Sequence, residues 1–194
     1  MPRILAALIV AAVVPAAHAA TDAYTLDPYY PIAFSVDHLG MATVFGQFRK
    51  FSGKFTMDRA AGTGSLEVVV QTASVDTGDG DKGSRPRSRD EHLRSAEFFN
   101  AAEFPQMTYK STGVIFSTDS PSLIEGNLTL LGKTRPVKLT VHRFRCTGAG
   151  TTVKERCGGY ATGKLRRSEF GMSRAIPAIG DEISLMIGFE ADRD

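Results

Sequence analysis

Apolar residues occupy alternate positions through most of this chain, and this period of two constrains the fold more than any other feature. In "LEVVVQTASV", Leu66, Val68 and Val70 fall on one face. The segments "PVKLTV" and "EISLMIGFEA" repeat the pattern. Because successive side chains of a β-strand point to opposite faces, these segments are predicted to be strands with one buried face.

Two of the predicted strands are close neighbours in the sequence. In "GNLTLLGKTRPVKL", apolar runs near 127–131 and 136–141 are separated by "GKTR". So short a connection is typical of a hairpin, which predicts antiparallel pairing.

The segment "TVFGQFRKFSGKFTM" changes phase partway along. Val44, Gly46 and Phe48 share one parity, whereas Phe51 and Phe55 share the other. An extra residue near Arg49 or Lys50 would keep both sets on one face, as a β-bulge does. Internal glycines also permit strong curvature, so we predict a closed or nearly closed barrel.

A two-layer sandwich would show the same periodicity. The internal glycines, 12 phenylalanines and absence of tryptophan favour the barrel, because immunoglobulin-like sandwiches often bury a tryptophan.

The first residues resemble an export signal. Arg3 precedes the apolar run "ILAALIVAAVV", and "AHA" at 17–19 has the small-x-small pattern of a cleavage site. We expect residues 1–19 to be a signal peptide and residues 20–194 to form one domain, located in the periplasm or secreted. No cysteine follows the predicted cleavage site, so a lipid anchor is not expected.

The charge balance is close to neutral. Lys and Arg number 23 against 21 Asp and Glu, which argues against nucleic acid as a partner, because such binding requires a basic face. The local exception is "KGSRPRSR", from Lys82 to Arg89. We interpret it as a solvated loop, with an anion or membrane-surface contact as the alternative.

The chain has two cysteines, Cys146 and Cys157. In an oxidising compartment this spacing across a glycine-containing turn predicts a disulfide that closes a hairpin. A redox-active pair is the alternative, but the C-x-x-C spacing is absent.

One short helix is predicted near residues 89–99. Ser88 and Glu91 have the spacing of a capping box. Phe98 and Phe99 are adjacent, so on a helix they would point about 100° apart and need two apolar surfaces. A helix across a barrel mouth would supply both, and we therefore interpret the segment as a plug.

No catalytic or metal-binding pattern is evident. His38, His92 and His142 have neither H-x-H nor H-E-x-x-H spacing, and no G-x-S-x-G sequence is present. We predict no enzyme activity, no catalytic residues and no metal. His38 would satisfy backbone groups near the first strand or donate to a ligand head group.

Seven motifs follow one another from about 24 to 191: "YTLDP", "FSVDHLG", "VFGQFRKFSG", "RDEHLRSAEFF", "FPQMTYKS", "GNLTLLGKTRPVKLTV" and "LRRSEFGM". Together, in this order and spacing, they resemble the YceI-like family of exported, lipocalin-type proteins. The resemblance implies an all-β, eight-stranded antiparallel barrel that holds a long polyisoprenoid chain, such as a quinone or polyprenyl tail. Related members are associated with other amphiphiles, including fatty acid amides. The segment "DGDKGSRPRS" and Lys133 depart from the family's pattern.

An eight-stranded barrel either fills with its own side chains or holds one slender ligand. The resemblance favours binding, storage or transport of an isoprenoid lipid; the alternative is a non-enzymatic stress-related or interaction protein that binds another amphiphile. No catalytic cofactor is expected, although a quinone could be the bound lipid. Transient membrane contact is expected, with a monomer or homodimer as the assembly. The predicted ligand contacts are Phe34, Val36, His38, Phe45, Phe48, Phe51, Phe55, Leu93, Phe98, Phe99, Leu128, Leu130, Leu139, Phe170, Met172, Ile187 and Phe189.

Overall fold

The computed structural model describes residues 21–148 and 153–194. Every strand pair recorded among them is antiparallel, as the hairpin pattern predicted. The elements are β1 (Asp22–Leu26), β2 (Ile32–His38), β3 (Ala42–Phe48), β4 (Phe51–Asp58), β5 (Thr63–Gln71), β6 (Val75–Asp76), α1 (Arg89–Arg94), β7 (Gln106–Ser117), β8 (Ser120–Leu130), β9 (Lys133–Thr147), β10 (Arg156–Arg166) and β11 (Ile179–Arg193), with short 3-10 turns at Thr72–Ser74 and Arg167–Phe170.

The sheet closes on itself, which confirms the predicted eight-stranded barrel. The order is β1-β4-β5-β7-β8-β9-β10-β11, and β1 also pairs with β11. Strands β2, β3 and β6 extend the wall beyond β1 at one end. We call this the helix end, because α1 contacts β6 there. The opposite end, where β9 turns into β10, is the disulfide end.

The predicted change of phase near Arg49 and Lys50 is present, but as a break between the separate strands β3 and β4 and not as a bulge within one strand. Arg49 and Lys50 leave the ladder, and the Lys50 backbone N–H donates to Ser74 Oγ at 3.1 Å. After this interruption Phe48 and Phe51 both face the barrel interior.

The β8–β9 hairpin is tighter than predicted. Its turn consists of Leu131 and Gly132 alone, with φ of 51° and 70°, and β9 already begins at Lys133. Positive φ at both central residues matches the right-handed twist of the flanking strands.

The predicted helix forms, but it is shorter than expected. The Glu91 backbone N–H donates to Ser88 Oγ at 3.1 Å, and the Ser88 N–H donates to Glu91 Oε2 at 2.8 Å, which completes the capping box. The helix ends at Arg94, so Phe98 and Phe99 lie in the following turns rather than on it. Both are buried.

Cys146 and Cys157 form the predicted disulfide between directly paired residues of β9 and β10. In the chain-entropy model a crosslink closing so short a loop stabilises the fold by about 3 kcal/mol.

The basic loop from Lys82 to Arg89 forms ion pairs with its own neighbours. The Arg85 guanidinium binds both oxygens of Asp79, and Arg89 approaches the same carboxylate at 3.2 Å. These cations lower the pKa of Asp79 to about 2. Arg87 pairs with Glu97 at 2.6 Å. This internal pairing agrees with a solvated loop better than with an anion site.

The predicted signal peptide lies outside the described residues. Within the residues that the structure does describe, no helix combines the length and apolar character needed to span a bilayer.

Candidate functional site

The inward faces of the strands enclose an apolar cavity. Its volume is about 210 Å³, and it extends from the helix end to the disulfide end. Because apolar residues alternate in strands, each strand contributes side chains to the same wall. The wall includes Leu66, Val68, Val70, Val137, Leu139, Val141, Ile183, Leu185, Ile187 and Phe189 from the three segments that established the alternation.

Tightly packed side chains close the cavity at the helix end. Phe99, from the plug, packs edge-on against Phe48 with ring centroids 5.2 Å apart, and Phe48 contacts Phe34 at 5.6 Å. Met172 lies beside them, and all four side chains are buried. The plug segment therefore seals this end with apolar groups.

Arg167 is the cationic member of the cavity wall. It is 3% exposed, and its donors bind the main-chain oxygens of Met172, Arg174, Ile179 and Gly180 at 2.8–2.9 Å. Burial lowers the pKa of the guanidinium, with Asp181 opposing the shift. An arginine nevertheless stays protonated in proteins. Its role here is to hold the loop before β11 against the barrel.

Tyr109 supplies a hydroxyl close to the cavity. The group donates to Val137 O at 3.0 Å, and burial, reinforced by Glu125, raises the pKa of the phenol. With its proton committed to a backbone carbonyl, Tyr109 behaves as a satisfied wall residue rather than as an acid or base.

A group of phenylalanines surrounds the cavity at the disulfide end. Phe144 lies 6.2 Å from both Phe55 and Phe189, and Phe116 completes the group. All four are half-buried, unlike the buried residues at the helix end. We therefore place the cavity mouth at the disulfide end.

An ion-pair network lies beside this mouth. The Glu155 side chain is buried, with 4% exposure. Its carboxylate forms ion pairs with Arg59 at 2.7 Å and Arg193 at 3.3 Å. It also accepts a hydrogen bond from the Tyr24 hydroxyl at 3.2 Å. Burial raises the pKa of Tyr24, with Arg59 opposing and Glu155 adding to the shift. Tyr24 in turn stacks on Phe55 at 4.6 Å. The network holds Glu155, just before β10, next to the phenylalanines.

Most of the predicted contact residues lie on the cavity wall, although their contact with a ligand stays a prediction. Those on the wall are Phe34, Phe48, Phe51, Phe55, Phe99, Leu128, Leu130, Leu139, Met172, Ile187 and Phe189.

Three of the predicted ligand contacts, on β2 and β3, do not lie on the cavity wall. Phe45 is 61% exposed, because it has the opposite parity to Gly46 and Phe48 and so faces outward. Val36 and His38 share the parity of Phe34 but lie farther along the β2–β3 hairpin, where they pair with Val44 and Ala42. The cavity wall on β2 ends at Phe34.

Three others pack at the helix end instead of lining the cavity. Phe98 contacts the His92 ring edge-on at 4.9 Å, Phe170 is 1% exposed, and Leu93 packs against the same core. These three side chains pack in the core at the helix end. Of the residues in the plug segment, Phe99 is the one on the cavity wall.

Several wall residues were missed by the sequence analysis. Between Val141 and Phe144, β9 has one more residue than the paired segment of β10. Counting alternate positions from Val141 therefore predicts that Phe144 faces outward, whereas it faces the cavity. Tyr109 and Met107 alternate in "FPQMTYKS" and were accessible to the same reasoning.

The structure brings no histidines together into a metal site within its described parts. One group there has suitable ligand spacing: Cys146, Cys157 and Glu155, with ligand atoms within 4.8 Å of one another. Both sulfurs are committed to the disulfide, and Glu155 is already paired with Arg59 and Arg193. This group does not fit a cation.

Comparison with known proteins agrees with this architecture. The model of the YceI-like domain matches residues 24–191. A UPF0312 protein of Azotobacter vinelandii is 36% identical over 168 residues, covering 84% of this chain and 81% of the relative.

Two solved structures share the fold. The YCEI protein of Campylobacter jejuni superposes with a TM-score of 0.66 at 27% identity, covering 81% of this chain and 90% of that one. A polyisoprenoid binding domain from Saccharophagus degradans superposes with a TM-score of 0.59 at 15% identity, covering 88% and 98%.

Proposed function

This chain belongs to the YceI-like family, and from that premise we propose that it binds the apolar tail of a long isoprenoid lipid. The observation that carries the proposal is the continuous apolar cavity along the barrel axis. The description of the Saccharophagus neighbour as a polyisoprenoid binding domain supports the ligand class. The signal-like first residues support export to the periplasm as the place where it acts.

The cavity volume sets what enters without rearrangement. An apolar cavity of about 150 Å³ holds benzene, so the volume here of about 210 Å³ accepts a short apolar chain directly. A tail of several prenyl units needs more room. Flexible lining residues such as Met107 and Met172 would provide it by changing rotamer.

Burial of the tail provides the main binding energy in this proposal. Each prenyl unit has five carbons and contributes about 4 kcal/mol at the usual increment for each buried carbon. Since Tyr109 and Arg167 already bind backbone oxygens, we propose no strong head-group site inside the barrel. A quinone, a polyprenol or another amphiphile would then differ mainly in how its tail fits.

The proposal is tested by filling the cavity. Val141 lies on the wall and is half-buried, so Val141→Trp should occupy the space of the tail. We expect the amount of long-chain polyprenol retained by each protein molecule, measured by extraction and mass spectrometry, to fall several-fold.

The control is Ser52→Trp. Ser52 is exposed on β4, a strand that is not adjacent to β9, so this variant should retain the polyprenol at the level of the unsubstituted protein. Equal retention by both variants, with both folded, would contradict tail binding in the barrel. A fatty acid amide in place of an isoprenoid in the extract would instead favour the alternative ligand.

A further inference from the structure

The outer surface formed by β9 and β10 has a strongly one-sided charge. The two strands contain eight Lys and Arg residues, five in β9 and three in β10, and no Asp or Glu. They are adjacent in the barrel. The chain as a whole has a net charge of only +2, so the acidic residues lie elsewhere.

Flanking strands neutralise some of these cations but not all. Lys138 pairs with Glu125 at 2.7 Å, and Lys164 pairs with Glu182 at 2.6 Å. Arg156 pairs with three carboxylates, those of Asp27, Glu190 and Asp192. Arg135, Arg143 and Arg145 are exposed, and in the described parts of the chain no carboxylate lies within 4.0 Å of their guanidinium groups. We call this outward face of β9 and β10 the cationic face.

Two aromatic rings lie on the same face. His142 and the partly exposed Tyr160 have ring centroids 5.7 Å apart, and the imidazole shares a hydrogen bond of 2.7 Å with Thr162. Tyrosine is enriched at membrane–water interfaces, where its amphipathic ring lies at the level of the lipid head groups. Anionic lipids attract clustered Lys and Arg side chains over about one Debye length.

The cationic face also adjoins the cavity mouth. Arg143 and Arg145 flank Phe144 in the sequence of β9, and Phe144 points inward to the mouth while both arginines are exposed outside. A bilayer in contact with the arginines would therefore lie next to the phenylalanines through which a tail enters.

We propose that the cationic face docks this protein on anionic phospholipid head groups of a bilayer during lipid exchange. The inference rests on the proposed function for its purpose, but the contact itself does not require an occupied cavity. Nucleic acid is the other polyanion that such a face could bind. The adjacent apolar mouth favours the bilayer, because a nucleic acid has no tail for the cavity to receive.

The test is flotation of the full chain with vesicles of phosphatidylcholine, with and without phosphatidylglycerol. We expect binding only to the anionic vesicles and release as salt rises from about 0.05 M to about 0.5 M. Since each cation near an anionic surface contributes about 1 kcal/mol, or about fivefold, Arg143→Gln with Arg145→Gln should weaken binding about 25-fold. Arg143→Glu with Arg145→Glu should weaken it further, because the new carboxylates repel the anionic surface.

The matched control makes the same change of charge elsewhere on the barrel. Lys54 and Lys110 are exposed on β4 and β7, so Lys54→Glu with Lys110→Glu should reduce binding much less. Thermal unfolding checks that every variant is folded. Val141→Trp, which blocks the cavity, should still bind anionic vesicles, so failure of the proposed function and failure of the docking face are separate results.

Three outcomes would overturn the proposal. The first is equal binding of neutral and anionic vesicles, and the second is equal loss in the two charge-reversed proteins. The third is binding of an oligonucleotide at about 0.15 M salt without binding of anionic vesicles.

Discussion

At the scale of single residues, Gly126 shows how closely the barrel wall packs. A Cβ added there would lie 2.5 Å from the Tyr109 ring and hydroxyl and 2.7 Å from Lys110 O. Since Lys110 O belongs to the backbone, rotation of a side chain cannot remove the conflict. We predict that Gly126→Ala lowers the free energy of unfolding by about 1–3 kcal/mol, measured by urea denaturation.

Gly113 is the matched control for this prediction. It lies on the neighbouring strand β7, and an added Cβ would meet nothing within 4 Å. Gly113→Ala should be neutral or slightly stabilising, because alanine restricts the unfolded chain. If both alanine variants unfold alike, the close approach of Tyr109 to β8 is not a packing constraint.

The same scale shows what the sequence could predict about the site. Alternation correctly placed Val137, Leu139 and Val141 inward. It could not place Phe144, because the register shift between β9 and β10 changes the phase by one residue. The position of Leu131 in the β8–β9 turn was missed for another reason. A leucine with positive φ is uncommon, so the sequence favoured a turn at "GKTR" instead.

At the scale of elements, the plug depends on a short helix that begins at a capping box. Ser88→Ala should remove the hydrogen bond to the Glu91 backbone N–H. We predict a loss of about 1 kcal/mol in the free energy of unfolding. Faster amide exchange is expected through Phe98 and Phe99, since the turns that follow α1 hold these residues at the helix end.

Glu91→Gln provides the control, because glutamine also completes a capping box. This variant should keep near-normal exchange in the same turns. Normal exchange in Ser88→Ala would show that packing of Phe98 and Phe99, rather than the cap, holds the plug.

The elements also show the limits of local patterns. The capping box correctly predicted where α1 begins, but not that it ends at Arg94. The cap at the start of the helix consists of residues close together in the sequence. Beyond its end, Phe98 and Phe99 pack in the barrel core, and this tertiary packing has no local sequence signal. The placement of Phe99 alone on the cavity wall follows from that packing.

At the scale of the whole molecule, closure of the sheet determines both the cavity and the distribution of charge. Composition showed near-neutrality, which argued against a basic face. The fold instead gathers the cations of β9 and β10 on one side. Net charge is a sum and carries no information about such a separation, so the exclusion of nucleic acid stays a prediction.

The central claim, that the barrel holds a lipid tail, is tested most directly by native mass spectrometry of protein purified without detergent. We predict an added mass of one isoprenoid-containing lipid for each barrel, identified after extraction. Protein that carries no lipid, and takes up no polyprenol offered from vesicles, would contradict the claim.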